Sequence, residues 1–138
     1  MKQLSIFLEN RFGTLTTVLD ILKANGVQLI ASTIADTEDY GIFRIICDDP
    51  SKAYEALRQG GVAVSLCDVV AIDISDTPGA AAEVISTFAA AGVSIAYLYS
   101  FLFAGKGVLI FRTDEASMEK TNAIIADKNY KSTVLNQK

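Results

Sequence analysis

The chain repeats itself. Shifted by 66 residues without gaps, Ile6 falls on Ile72, Gly13 on Gly79, Val18 on Val84, Gly41 on Gly107, Asp48 on Asp114 and Ser51 on Ser117. The group Ala24, Gly26 and Val27 falls on Ala90, Gly92 and Val93. Three of these pairs are glycines, the residue that marks positive φ, tight turns or close backbone approach. By length alone, 138 residues predict one domain. The repeat instead divides the chain into two small units, 1–67 and 68–138, and whatever one unit forms the other must form as well.

Each unit reads in the same order. Alternating Leu4, Ile6 and Leu8, and Val70, Ile72 and Ile74, give an opening strand. A turn holding Gly13 or Gly79 follows. Leu15, Val18, Leu19 and Leu22 then share one helical stripe, matched by Ala81, Val84, Ile85 and Phe88. In the second unit Thr77 suits the helix N-cap and Pro78 its first position, and Gly26 or Gly92 ends the helix. A hairpin comes next: 27–35 and 42–47 turning at 38–41, then 93–103 and 108–113 turning at 105–107, with Gly41 and Gly107 read as turn residues. Asp49-Pro50 and Asp114-Glu115 announce a second helix, and 62–66 and 130–135 close each unit as a last strand. The order is βαββαβ, twice. The expected fold is α+β: two ferredoxin-like units in tandem, each a four-stranded antiparallel sheet with both helices on one face.

Composition excludes several chemistries. The chain has no His and no Trp, so imidazole bases, Ser-His-Asp or Cys-His nucleophiles and His-ligated metals are absent. No metal site, cofactor or catalytic residue is expected, and the chain is read as a non-enzyme. The net charge of −4 comes with no Lys/Arg cluster, which argues against a nucleic-acid partner. Cys47 and Cys67 lie 20 residues apart without a CxxC pattern and read as buried strand residues in a reducing compartment, the cytoplasm.

Residues 84–105 carry no charge over 22 positions, long enough to span a bilayer. The repeat argues otherwise. Its counterpart, VLDILKANGVQLIASTIADTED, is charged, and two copies of one fold cannot disagree. The segment reads as a helix plus a buried strand, with no membrane partner. In that strand Tyr97, Tyr99, Phe101 and Phe103 point to one side, and Leu98 and Leu102 to the other. Apolar residues on both sides imply that both sheet faces are covered, by sheets side by side or face to face. A 66-residue unit is marginal alone, so a homodimer is expected.

The two turns read Leu8-Glu9-Asn10-Arg11-Phe12-Gly13-Thr14-Leu15 and Asp76-Thr77-Pro78-Gly79-Ala80-Ala81. Thirteen residues after each turn glycine comes GVQLI or GVSIA. The pattern resembles the ACT domain, a regulatory βαββαβ module that commonly binds amino acids, here as a stand-alone tandem pair. In serine-binding members of that family an asparagine three residues before the turn glycine holds the ligand; the resemblance places Asn10 and Asp76 there. A second asparagine after Gly-Val corresponds to Gln28 and Ser94. A ligand histidine five residues before the glycine corresponds to Leu8 and Ile74, so that contact is missing. Phe12 stands where proline is usual. The resemblance implies a ligand site at Asn10, Arg11, Phe12, Gly13, Thr14 and Gln28 in the first unit, and at Asp76, Thr77, Pro78, Gly79, Ala80 and Ser94 in the second. A turn feeding a helix N-terminus suits a carboxylate by its own physics.

The function so implied is non-catalytic: an amino acid or similar small molecule binds at ACT-domain interfaces and modulates a partner metabolic enzyme. Two rivals stand beside it. The aromatic row would also serve a ligand-independent protein–protein adaptor, and Asn10 with Arg11 superficially suggests an acylphosphatase-like enzyme, for which the Gly-rich cradle is missing.

Overall fold

A computed structural model describes residues 1–9, 13–36, 40–103, 105–133 and 136–138. It falls into two compact units: residues 1–68 with 136–138, and residues 69–135.

Unit 1 runs β1 (Lys2–Glu9), α1 (Thr14–Ala24), β2 (Leu29–Asp36), β3 (Tyr40–Cys47), α2 (Pro50–Gln59) and β4 (Val64–Asp68). Its four strands lie in the order β2-β3-β1-β4, all antiparallel. Leu4, Ile6 and Leu8 of β1 and Phe43, Ile45 and Cys47 of β3 share one core with Val18 and Leu22 of α1 and Ala53 and Leu57 of α2. Both helices therefore cover one face. Leu19 of the expected helical stripe is exposed, and Ile21 packs on the core in its stead. Asp49 caps α2 by accepting the Lys52 amide, with Pro50 at the first helical position. The chain's last residues belong to this unit: the Gln137 carboxamide accepts the Lys2 amide at 2.8 Å and donates to the Lys2 carbonyl at 2.7 Å.

Unit 2 runs β5 (Val70–Ser75), α3 (Ala80–Ala90), β6 (Ile95–Phe103), β7 (Lys106–Thr113), a 3₁₀ turn (Glu115–Ser117) and α4 (Met118–Lys128). Its sheet has the order β5-β7-β6. Val70, Ile72, Leu109 and Phe111 meet Val84 and Phe88 of α3 and the partly buried Ile124 and Ile125 of α4. Phe88 packs edge-on against Phe111, ring centroids 5.0 Å apart.

Several expectations need correction. The α3 N-cap is Gly79, not Thr77, and the helix starts at Ala80, not Pro78. The Thr77 carbonyl accepts the Ala80 amide in a turn and its hydroxyl pairs with Ser75, so Thr77 is already engaged outside the helix. Gly41 and Gly107 lie inside β3 and β7, opposite Leu8 and Ile74 respectively. The second-unit hairpin glycine with positive φ is Gly105; Glu38 and Asp39 of the first lie outside the described residues. Cys67 is half-buried while Cys47 is buried. The repeat is not gapless throughout: α4 starts 68 residues after α2, at Met118 against Pro50, because the 3₁₀ turn takes two more residues. Asp114 caps that turn through the Ser117 amide.

The segment after α4 also departs from a regular strand. Asp73 donates its amide to the Lys131 carbonyl at 2.9 Å, as Phe7 does to Ala63 in unit 1. Beyond that, the Asp73 carboxylate takes over, accepting from the Ser132 hydroxyl and from the Thr133 amide and hydroxyl. Burial alone would raise the pKa of this carboxyl; the Thr133 and Ser132 hydrogen bonds, with Lys106 nearby, outweigh it and hold it below the usual value. Val134 and Leu135 lie outside the described residues.

The uncharged stretch is α3 followed by β6, and no helix among the described residues is long and apolar enough to cross a membrane. β6 is not a buried strand. It is an outer strand of the described sheet, with Leu98, Leu102 and Phe103 exposed.

Candidate functional site

The entry to the first helix is built alike in both units. Gly13 holds φ +82° and Gly79 φ +86°, each as N-cap of the helix that follows, and neither helix has a side-chain cap. This left-handed conformation is one that L side chains rarely adopt, so the chain needs glycine there for its backbone angles. A Cβ built on either would meet nothing within 4 Å, so crowding is not the reason. Uncapped amides and the helix dipole give this end partial positive charge.

In unit 2 this entry opens onto a cleft of about 300 Å³, at the lower end of small-ligand pockets. One side is the turn, Ser75, Asp76, Thr77 and Gly79; behind it are Ala81 and Ala82 of the first helical turn. The other side is Ser100, Phe101 and Leu102 of β6, with Ile74 and Gly107 beneath. β6 reaches the cleft because of its register. Leu98, Ser100 and Leu102 pair with Phe111, Leu109 and Gly107 and so face the helices. Tyr97, Tyr99 and Phe101 pair with Arg112, Ile110 and Val108 and face away. A bulge between Ile95 and Tyr97 sets this phase, and unit 1 has its counterpart between Leu29 and Ala31.

The residues implied by the resemblance divide as follows. Asp76, Thr77 and Gly79 line the cleft, while the exposed Pro78 and Ala80, which starts α3, flank it. Ser94 is exposed just before β6 and does not line the cleft. In unit 1, Asn10, Arg11 and Phe12 lie outside the described residues. Thr14 donates its hydroxyl to the Glu9 carbonyl, which ties the start of α1 to the end of β1. Gln28 is held by its backbone: its amide donates to the Asp48 carboxylate at 2.9 Å and its carbonyl accepts the Asp48 amide. Its carboxamide folds onto the Leu29 carbonyl. Sequence reasoning missed Ser75, Ala81 and Ala82 beside the turn, and also Ser100, Phe101, Leu102 and Gly107, whose place depends on strand register. A Cβ on Gly107 would come within 2.9 Å of Ile74, so that glycine sets how closely the cleft floor packs.

The ends of the two helices differ in charge. α3 carries Glu83 in its first turn, whereas α1 has no acidic residue there. The arrangement can hold a small zwitterion: helix amides for a carboxylate, Asp76 and hydroxyls for an ammonium, and Ile74 and Leu102 for an apolar substituent. Among the described residues no three Cys, Asp or Glu side chains cluster to hold a metal.

Two compact units, each an antiparallel sheet covered on one face by two helices, define a tandem ferredoxin-like architecture. The chain belongs to the ACT domain pair family, which matches residues 1–136. A protein of known structure from Bacteroides thetaiotaomicron is 41% identical, with TM-score 0.86 over 94% of this chain and 88% of its own. The regulatory subunit of aspartate kinase from Thermus thermophilus, in a ligand-free form, has TM-score 0.66 at 14% identity, covering 91% of each chain. That from Thermus flavus has TM-score 0.60 at 15% identity, covering 91% of this chain and 90% of its own. At these identities the two kinase subunits share the fold. No curated protein matches the sequence.

Proposed function

We propose that this chain is a non-catalytic regulatory module, acting as a homodimer in the cytoplasm, that binds an amino acid at the entry to α1 or α3 and passes its occupancy to a partner metabolic enzyme. The observation that carries the reading is the uncapped helix N-terminus behind a positive-φ glycine, fronting a cleft with both polar and apolar walls. The ligand carboxylate meets the first-turn amides. The ammonium faces Asp76 in unit 2, the part that the family resemblance assigns to Asn10 in unit 1. Folds shared with two regulatory subunits of aspartate kinase support the same class of role. A ligand that binds one packing arrangement better than another shifts the population, which is all that allosteric control requires.

The experiment is a thermal-shift panel of all proteinogenic amino acids at millimolar concentration. At least one raises the melting temperature, and Asp76→Ala or Asn10→Ala abolishes the rise in a folded protein. A flat panel overturns the reading. Recovery of a stable heteromeric complex indifferent to every amino acid would favour the adaptor role, which the exposed Leu98, Leu102 and Phe103 also suit.

A further inference from the structure

The two helix entries are alike in backbone but not in the side chains around them. Strand register fixes the correspondence. Ile34 pairs with Phe43 as Ser100 pairs with Leu109, and Asp36 with Gly41 as Leu102 with Gly107. Leu15 and Ala81 are each the second residue of their helix. Ala81, Ser100 and Leu102, which line the unit 2 cleft, therefore stand where unit 1 has Leu15, Ile34 and Asp36.

Each exchange works against a ligand in unit 1. Ala81 is exposed and leaves room, whereas Leu15 is partly buried and packs against the core of its unit. Ile34 lays a methyl group over the strand glycine: its Cγ2 lies 3.7 Å from where a Cβ on Gly41 would stand. At Gly107 the three nearest atoms all belong to Ile74 of the cleft floor, and none to Ser100. Asp36 puts a carboxylate in place of the apolar Leu102, so an apolar substituent would desolvate a charge instead of meeting a hydrocarbon wall. The unit 2 cleft, at about 300 Å³, is already small for a ligand site and has little volume to give up.

Unit 1 has a cleft of its own, about 390 Å³, that reaches the α1 entry, but its far wall is Gly60 to Ala63 and not β2. Thr14 and Thr17 line it, and their hydroxyls already donate to the Glu9 and Gly13 carbonyls. Neither is left to donate to a ligand carboxylate.

We infer that the amino acid binds in unit 2 alone, and that the small side chains of Ala81 and Ser100 are what make that unit the receptor. The inference rests on the amino-acid reading above and narrows it from two helix entries to one. Unit 1 keeps the backbone of the site, with larger side chains in the space where the substituent of the amino acid would lie.

The test titrates full-length protein, its backbone amides labelled for NMR, with an equimolar mixture of the proteinogenic amino acids. Saturable shifts are expected at Ser75, Thr77, Gly79 and Ser100, with Thr14, Ile34 and Gly61 unmoved. Ala81→Leu combined with Ser100→Ile gives unit 2 the side chains of unit 1, at two exposed positions. It raises the half-saturating concentration at least tenfold. Shifts in both units, shifts in unit 1 alone, or undiminished binding to the folded double variant overturn the inference and leave the amino-acid reading standing. Should the double variant fail to fold, Ser100→Ile alone is read in the same way. No shift in either unit overturns the amino-acid reading itself, and the inference falls with it.

Discussion

Replacing Gly79 by alanine tests the helix-entry geometry directly. Gly79 sits at φ +86°, ψ −7°. The left-handed conformation costs an L residue about 1–2 kcal/mol. Alanine also narrows the unfolded ensemble, which offsets roughly 0.4–1 kcal/mol of that. The new Cβ meets nothing within 4 Å, so no steric cost is added. The net loss is then about 1 kcal/mol, a drop of about 4–8 °C for a domain of 60–100 residues. Gly79→Asn is the control, because asparagine tolerates this conformation and is expected to cost less; the described non-glycine residue with positive φ is itself an asparagine, Asn129. Gly13→Ala, at φ +82°, should repeat the result in unit 1. Urea titration and scanning calorimetry read the effect. If Gly79→Ala is as stable as the parent, or asparagine costs as much as alanine, the backbone-angle account is wrong. Gly79 also lines the cleft, so any amino-acid response should fall further in Gly79→Ala than its lost stability explains.

Two more outcomes follow from the titratable groups. The Asp73 carboxyl is held below its usual pKa in the folded chain. Its contribution to stability is therefore present above the unfolded value and lost as pH falls through the folded one, in the acid range below about 4. Asp73→Asn should flatten this part of the pH–stability curve and speed amide exchange at Thr133; an unchanged curve would show that the latch contributes nothing. Burial, helped by the charges of Asp48 and Asp49 and opposed by a hydrogen bond from the Asp49 backbone, pushes the Cys47 thiol up to about 11. At pH 8 native protein should alkylate at the half-buried Cys67 well before Cys47, as peptide mass mapping would show; equal rates would contradict the burial of Cys47.

Much of the fold was legible because it depends on local rules applied twice. Alternation at Leu4, Ile6 and Leu8 and at Val70, Ile72 and Ile74 marks strands whatever surrounds them. The αL requirement at Gly13 and Gly79 likewise shows as glycine in both copies. The α3 N-cap was less legible. Thr77 and Pro78 suit a helix start, yet the carbonyl and hydroxyl of Thr77 are both engaged in the turn, and the cap falls to Gly79. Gly107 looked like a turn because glycine is common in turns, while its neighbour across the sheet, Ile74, supplies another reason for it.

The sequence by itself determined the repeat, the element order within each unit and the glycines at the helix entries, since each follows from periodicity or from a single residue's backbone freedom. Tertiary structure alone decided which residues share a site. The bulge before Tyr97 turns Ser100 and Leu102 toward α3 and the aromatic row away from it, and a one-residue slip would exchange the two sets. It also decided how the copies diverge: Asp73 gathers the segment after α4 where Phe7 cannot. Contacts of that kind join residues some 60 positions apart, and neither partner carries a mark of the other in its local sequence.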